Sequence, residues 1–246
     1  MKVLYNICLI LTLKQTVQCW TLLKGYKMYQ RDVNEIKGFV RWRGPDALVN
    51  TGLFVLLTIQ AGLSTVRGSM VKVERDCYQA DCLWGKKADG YQYLVENADY
   101  LYGKVYHIAD TYGYDTPMGC QEIIRLFADV PNLGMVKAAF FAQCLGFNTA
   151  CLDSHNLKRF GIPDSAVKLN LKAKEHTIRR KIAEYVQLCH DLRSKTTAPD
   201  HVSTAEFWWD SWCHHVAGNR ANRALDTGDV VSRFHVECIT YGFEHG

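Results

Sequence analysis

Apolar positions recur every three to four residues along most of the chain, a period that predicts helices rather than strands. Pro45-Asp46 opens one such element, and its apolar body L-F-V-L-L-T-I carries it to near Gly62. After Gly68 the pattern loosens through a cysteine- and tyrosine-bearing stretch to about residue 90. Helical spacing returns over 91–112, and Gly113 supplies a C-terminal stop. Thr116-Pro117 then predicts a capped start, with threonine accepting from a first-turn amide and proline placed where its missing N–H is harmless. That helix runs through M-G-C-Q-E-I-I-R-L-F-A to Asp129. A V-P-N-L-G turn follows, and a second helix covers 134–145 before Gly146. The pair makes a helical hairpin. Farther on, 164–195 predicts one or two basic helices, Pro199 a loop, 203–217 an aromatic helix and 228 onward a short final helix. The expected fold class is all-α.

Composition narrows the picture. The 246 residues suffice for one large domain or two small ones, and 48% hydrophobic against 22% charged residues is ordinary globular chemistry. A net charge of +4 permits a polyanionic partner without requiring one. Ten cysteines are scattered through a chain too long to need staples, which predicts reduced, mostly buried thiols. The closest pairs, Cys77/Cys82 and Cys144/Cys151, lack metal-ligand spacing, so neither a metal nor another cofactor is expected.

The leading M-K-V-L-Y-N-I-C-L-I-L-T-L-K is superficially signal-like. Its apolar run, interrupted by Asn6, is too short to span a bilayer, and no small-x-small cleavage site follows. It reads as a leading helix, with a start at Met28 as the alternative. No membrane segment is expected, and the location expected is cytoplasmic or nucleoid-associated, in a reducing compartment.

The candidate chemistry begins at V-P-N-L-G-M-V-K, residues 130–137, and at the aspartate of A-C-L-D-S-H-N sixteen residues after the lysine. Asn132 and Gly134 both tolerate unusual backbone angles. A turn built on them ahead of a helix leaves amides pointing outward at the positive end of the helix dipole, which suits a phosphate. The bland alternative is a tight connection between packed helices. A carboxylate in an apolar strip is costly, which makes Asp153 conspicuous beside Cys151 and Leu152. It can also be read as a helix cap, accepting from the amides of His155 and Asn156.

These segments together resemble the helix–hairpin–helix DNA glycosylase superfamily, the endonuclease-III-like fold, in a divergent and viral-like form. There a leucine-proline-glycine-valine-glycine hairpin, a helix and an apolar strip ending in Asp-Thr-His precede an arginine. F-V-L-L-T-I-Q-A-G-L-S at 54–64 is similar to the family's early helix, L-Y-G-K-V-Y-H-I-A to the helix before the hairpin, and D-T-P to the approach into it. The resemblance covers roughly 45–218, with 1–44 as an N-terminal extension and 219–246 as a helical tail packing on the domain. It implies a two-lobed helical fold that binds double-stranded DNA as a monomer and acts on a flipped base.

Asp153 would stand at the catalytic carboxylate position, stabilising positive charge on the sugar and orienting a water. Gln60 would fill the gap left by the extruded base. Asn132, Leu133, Gly134 and Met135 would grip the backbone with His155, Lys158 and Arg159, although the triplet's histidine is more often structural. Bifunctional members carry a lysine nucleophile two residues after the second hairpin glycine. That position here is Val136, and Lys137 lies one step, about 100°, farther around the helix. Either the helix start is shifted, restoring Lys137 as catalytic, or the enzyme is monofunctional with Lys137 as a phosphate contact; the second is preferred. Two rivals keep the fold: a transferase that attaches groups to modified thymines, as some viral relatives do, and a non-catalytic DNA-binding module.

Two further signals are ambiguous. Eight Lys/Arg between 158 and 181 offer either phosphate contacts or a solvated face. In F-W-W-D-S-W-C-H-H, Trp208 and Trp212 share a helical face, which suggests core packing, with Trp209 or Trp212 stacking on a base as the alternative. The family's four-cysteine iron–sulfur loop is missing.

Overall fold

The computed structural model describes residues 28–75, 83–196, 198–217 and 227–240, and among them every regular element is helical. Eleven α-helices follow in order: α1 Met28–Arg43, α2 Pro45–Leu57, α3 Leu63–Arg75, α4 Lys86–Glu96, α5 Ala98–Tyr112, α6 Pro117–Ala128, α7 Gly134–Cys144, α8 Ser154–Phe160, α9 Glu175–Ser194, α10 Thr204–Val216 and α11 Gly228–Thr240. A 3-10 turn, Asp164–Val167, lies between α8 and α9. The signal-like leading run and the Cys77/Cys82 pair lie outside the described residues. No described helix is long and apolar enough to cross a membrane.

Helix α2 is the axis of the packing. Every residue from Ala47 to Leu57 is buried, and its two polar side chains find partners inside. Asn50 donates its amide to the Ile239 carbonyl, and the Thr51 hydroxyl donates to the Ala47 carbonyl at 2.8 Å. A helix that is apolar all round must be surrounded; α2 packs against α1, α3, α4, α5, α7 and α11. Gly52 permits the closest approach, since a Cβ there would sit 2.6 Å from Leu94 Cδ1. One apolar cluster extends from Met28 to Ile239, so α1 and α11 belong to the core.

The hairpin forms as its sequence predicts. Thr116 accepts from the Gly119 amide at 3.0 Å, Pro117 begins α6, and Phe127 stacks on Phe141 with ring centroids 4.0 Å apart. Gly113 and Gly146 end their helices with φ of 83° and 92°.

Three expectations need correction. The 91–112 segment is two helices, because Asn97 back-bonds to the Tyr93 carbonyl at 2.8 Å and breaks the run between α4 and α5. The stretch after Gly68, where the pattern loosens, is helical to Arg75 as part of α3. In 164–195 only α9 is a long helix, and its charges are largely neutralised. Arg179 pairs with Glu122 and Glu175, Arg180 with Glu184 and Lys181 with Glu184.

Candidate functional site

The turn between α6 and α7 is held from beneath. Val130 and Leu133 are buried, and Gly90 of α4 lies so close that a Cβ would meet the Pro131 carbonyl at 2.5 Å. Asn132 and Gly134 stay exposed with φ of 72° and 57°. A Cβ on Gly134 would meet nothing within 4 Å, so the left-handed backbone, not crowding, requires glycine there. Helix α7 has no side-chain cap, and among the described residues no acceptor takes the amides of Gly134, Met135 or Val136. They are the unpaired donors at the positive end of the helix dipole. Leu133 differs from its neighbours: its side chain is buried and its amide donates to the Val130 carbonyl at 3.2 Å.

The turn borders a cleft of about 860 Å³, which Gln60, Lys137 and Asp153 also line. That volume lies within the range of small-molecule sites. Gln60 occupies the turn after α2, exposed and with φ of 53°. A non-glycine residue held there stores strain of the kind that clusters at ligand clamps.

Lys137, in the first turn of α7, reaches across to α2, where its ammonium donates to Thr58 Oγ1 at 3.1 Å. The Thr58 hydroxyl donates its own hydrogen to the Val55 carbonyl at 2.6 Å, leaving the oxygen free to accept from the lysine. Lys87 caps the same helix end, donating to the Leu57 carbonyl at 3.3 Å. Burial, reinforced by the Lys137 charge, pushes the Lys87 ammonium below its usual range. Neither lysine has an acidic partner among the described ion pairs, while the cleft lining itself balances Lys137 and Lys168 against Asp153 and Asp164.

Asp153 is the N-cap of α8. Its Oδ1 accepts from the amides of His155 at 3.1 Å and Asn156 at 3.0 Å. The capping role read from the sequence is thus present, and both bonds fall on one oxygen. Oδ2 has no hydrogen-bond partner among the described residues. Asn156 braces the strip by donating to the Cys151 carbonyl at 2.9 Å, and Tyr185 accepts from the Leu152 amide at 3.1 Å while donating to the Ala150 carbonyl at 2.7 Å. Burial pushes the Cys151 thiol up to about 12, opposed by the Lys137 charge and reinforced by Asp153. It is therefore no nucleophile at neutral pH.

The remaining expected DNA contacts divide. His155 lines the cleft and is exposed. Lys158 is exposed but borders no part of it, whereas Lys168, which was not singled out, does. Arg159 is turned toward α10, donating to Ser211 Oγ at 3.0 Å.

The inner wall comes from α10 and α11. Trp208 and Trp209 are buried and their indole N–H groups are taken, by the Cys189 carbonyl at 3.2 Å and by Ser232 Oγ at 2.9 Å. Trp212 is partly buried and also lines the cleft. His235 and Gln143 complete the wall and were missed in the sequence; a histidine in a closing helix, far along the chain from the hairpin, gives no local signal. Among the described residues no group of three or more His, Cys, Asp or Glu could hold a metal. The six described cysteines are free.

No family model matches the chain, and no curated protein or solved structure matches it either. The chemistry open to the cleft is therefore read from its own atoms: a rim with free helix-start amides and two lysines, the carboxylates of Asp153 and Asp164, and an aromatic interior.

Proposed function

We propose that the protein binds duplex DNA, extrudes one base into the cleft and hydrolyses its N-glycosidic bond, as a monofunctional DNA N-glycosylase of the helix–hairpin–helix type. One observation carries the reading: Asp153, Lys137, Gln60 and the first residues of α7, Gly134 to Val136, all line one cleft of about 860 Å³. The amides of Gly134, Met135 and Val136 hold a backbone phosphate, helped by Lys137 and Lys168. Gln60 occupies the space left in the duplex, offsetting the few kcal/mol lost on unstacking. Asp153 keeps Oδ1 on the helix cap, which fixes the carboxyl group, and presents Oδ2 to the sugar. As the bond breaks, positive charge grows at C1′ and the carboxylate stabilises it while orienting water. Lys137, anchored on Thr58, serves as an electrostatic contact rather than as a nucleophile.

The test is incubation with duplexes carrying uracil, oxidised, alkylated or hydroxymethylated bases, followed by hot-alkali cleavage to reveal abasic sites. The expected result is abasic product from at least one duplex and no covalent complex after borohydride. A borohydride-trapped adduct restores Lys137 as nucleophile; a base of increased mass replaces excision with group transfer; intact DNA in every arm removes the enzymatic reading.

A further inference from the structure

The cleft's inner end contains an unusual buried side chain. His235, on α11, is 1% exposed, and neither ring nitrogen makes a hydrogen bond within the described protein. Four aromatic rings surround it: Phe54 at 5.4 Å, Phe140 at 6.4 Å, Trp209 at 5.2 Å and Trp212 at 5.1 Å between centroids. Burial, aided by the Lys137 charge, pushes its imidazole down to about 3, against which only the Val231 carbonyl pulls. A neutral imidazole presents one donor and one acceptor. The Val231 carbonyl, one turn back on α11, lies near one ring nitrogen without meeting hydrogen-bond geometry, and the other nitrogen has no internal partner; a phenylalanine would have filled the same aromatic nest without that penalty.

Gln143 supplies the second polar group. It is 2% exposed and lies on the same helix as Lys137, six residues and about 9 Å farther along the axis. Its Nε2 donates to the Ala205 carbonyl at 2.9 Å, which fixes the amide and leaves Oε1 as the acceptor. Both residues line the cleft.

We propose that His235 and Gln143 are a base-reading pair at the inner end of the cleft, and that they take the lactam edge of an uncharged base, a ring N–H beside a carbonyl. Gln143 Oε1 accepts from the ring N–H and His235 donates to the carbonyl, while Trp212 and Phe140 flank the ring. Cytosine reverses this edge, setting a ring-nitrogen acceptor against the Gln143 oxygen and an amino donor against the His235 N–H, so neither contact is made. A cationic alkylated base is disfavoured by Lys137. The inference rests on the DNA reading above and specifies its substrate class.

The test uses the full chain carrying Asp153→Asn, so that bound DNA stays intact, with and without His235→Phe. Four labelled duplexes differ at one mispaired position: thymine, its apolar isostere difluorotoluene, cytosine, or a tetrahydrofuran abasic site. Affinities are read by fluorescence anisotropy, and folding by thermal melts. Thymine is expected to bind about tenfold more tightly than either difluorotoluene or cytosine. In His235→Phe that preference falls to within about twofold while tetrahydrofuran affinity and melting are retained. Gln143→Leu is expected to lose the preference too, with a lowered melting temperature because the Ala205 carbonyl loses its donor. Equal binding of thymine and difluorotoluene, a preference that survives His235→Phe, or tighter binding of cytosine overturns the pair as lactam readers. If tetrahydrofuran DNA binds with no base preference, this inference fails alone; if no duplex binds, the DNA reading fails with it.

Discussion

Two polar regions flank Trp209, and they are built on opposite rules. Behind it, where α1, α10 and α11 meet, buried polar groups are matched. The Trp209 indole donates to Ser232, and Ser232 donates to Asp32. Asp32 also accepts from Arg31 at 2.8 Å, and Asp210 accepts from the Tyr29 amide at 3.1 Å. In front of it, in the cleft, Asp153 Oδ2, both His235 nitrogens and the first amides of α7 lack partners among the described residues. Buried polar groups in folded proteins are almost always satisfied. Of these cleft groups His235 is the fully buried one, and two unmatched nitrogens on a single ring bordering a cleft contrast with the matched Ser232–Asp32 cluster on the other side of the same tryptophan.

Substitutions can break this contrast, beginning with the largest effect. Asp153→Asn keeps the cap oxygen, so the melting temperature should stay within a few degrees while turnover falls by about 10²–10⁴-fold. A variant with unchanged turnover would remove Asp153 from the chemistry. Asp32→Ala should do the reverse, lowering unfolding free energy by about 2–4 kcal/mol in denaturant titrations while turnover per folded molecule changes less than about tenfold. Gly134→Ala forces a side chain into the left-handed region at about 1–2 kcal/mol and should weaken DNA binding with base preference retained. Loss of preference without loss of affinity would separate the turn from backbone gripping.

The smallest effect is in pH. Burial raises the Asp210 carboxyl to about 8, despite the Tyr29 amide. A folded-state value above the unfolded one means the native protein holds the extra proton, so this contribution is full below about 4 and is lost as pH rises toward 8. Asp210→Asn should flatten that slope and raise the melting temperature at pH 8 by a few degrees. His235 has the opposite sign: its stability contribution is present above about 6.5 and declines as pH falls toward 3.

What the sequence disclosed was local. Thr116-Pro117, Gly113, Asn132 and Gly134 announce their backbone roles because capping and positive φ restrict which side chains can serve. The capping role of Asp153 was readable for the same reason. Asn97 hid its break because the apolar period continues through it, and only its side-chain bond to Tyr93 interrupts the ladder. The charges of α9 looked available because the acids that neutralise Arg179 include Glu122, on another helix. His235 and Gln143 were silent, since what distinguishes them is the company brought by folding: four rings around one, and a carbonyl from α10 fixing the other.

Helix α7 carries the unpaired amides at its first turn and Gln143 near its far end, while His235 comes from α11. In the proposed reading the phosphate contact and one base contact sit on the same rod, and the other base contact comes from a separate element. If that reading holds, exchanging residues on α11 would retune selectivity while leaving the first turn of α7 intact, making the closing helix the place where this scaffold would acquire a new target.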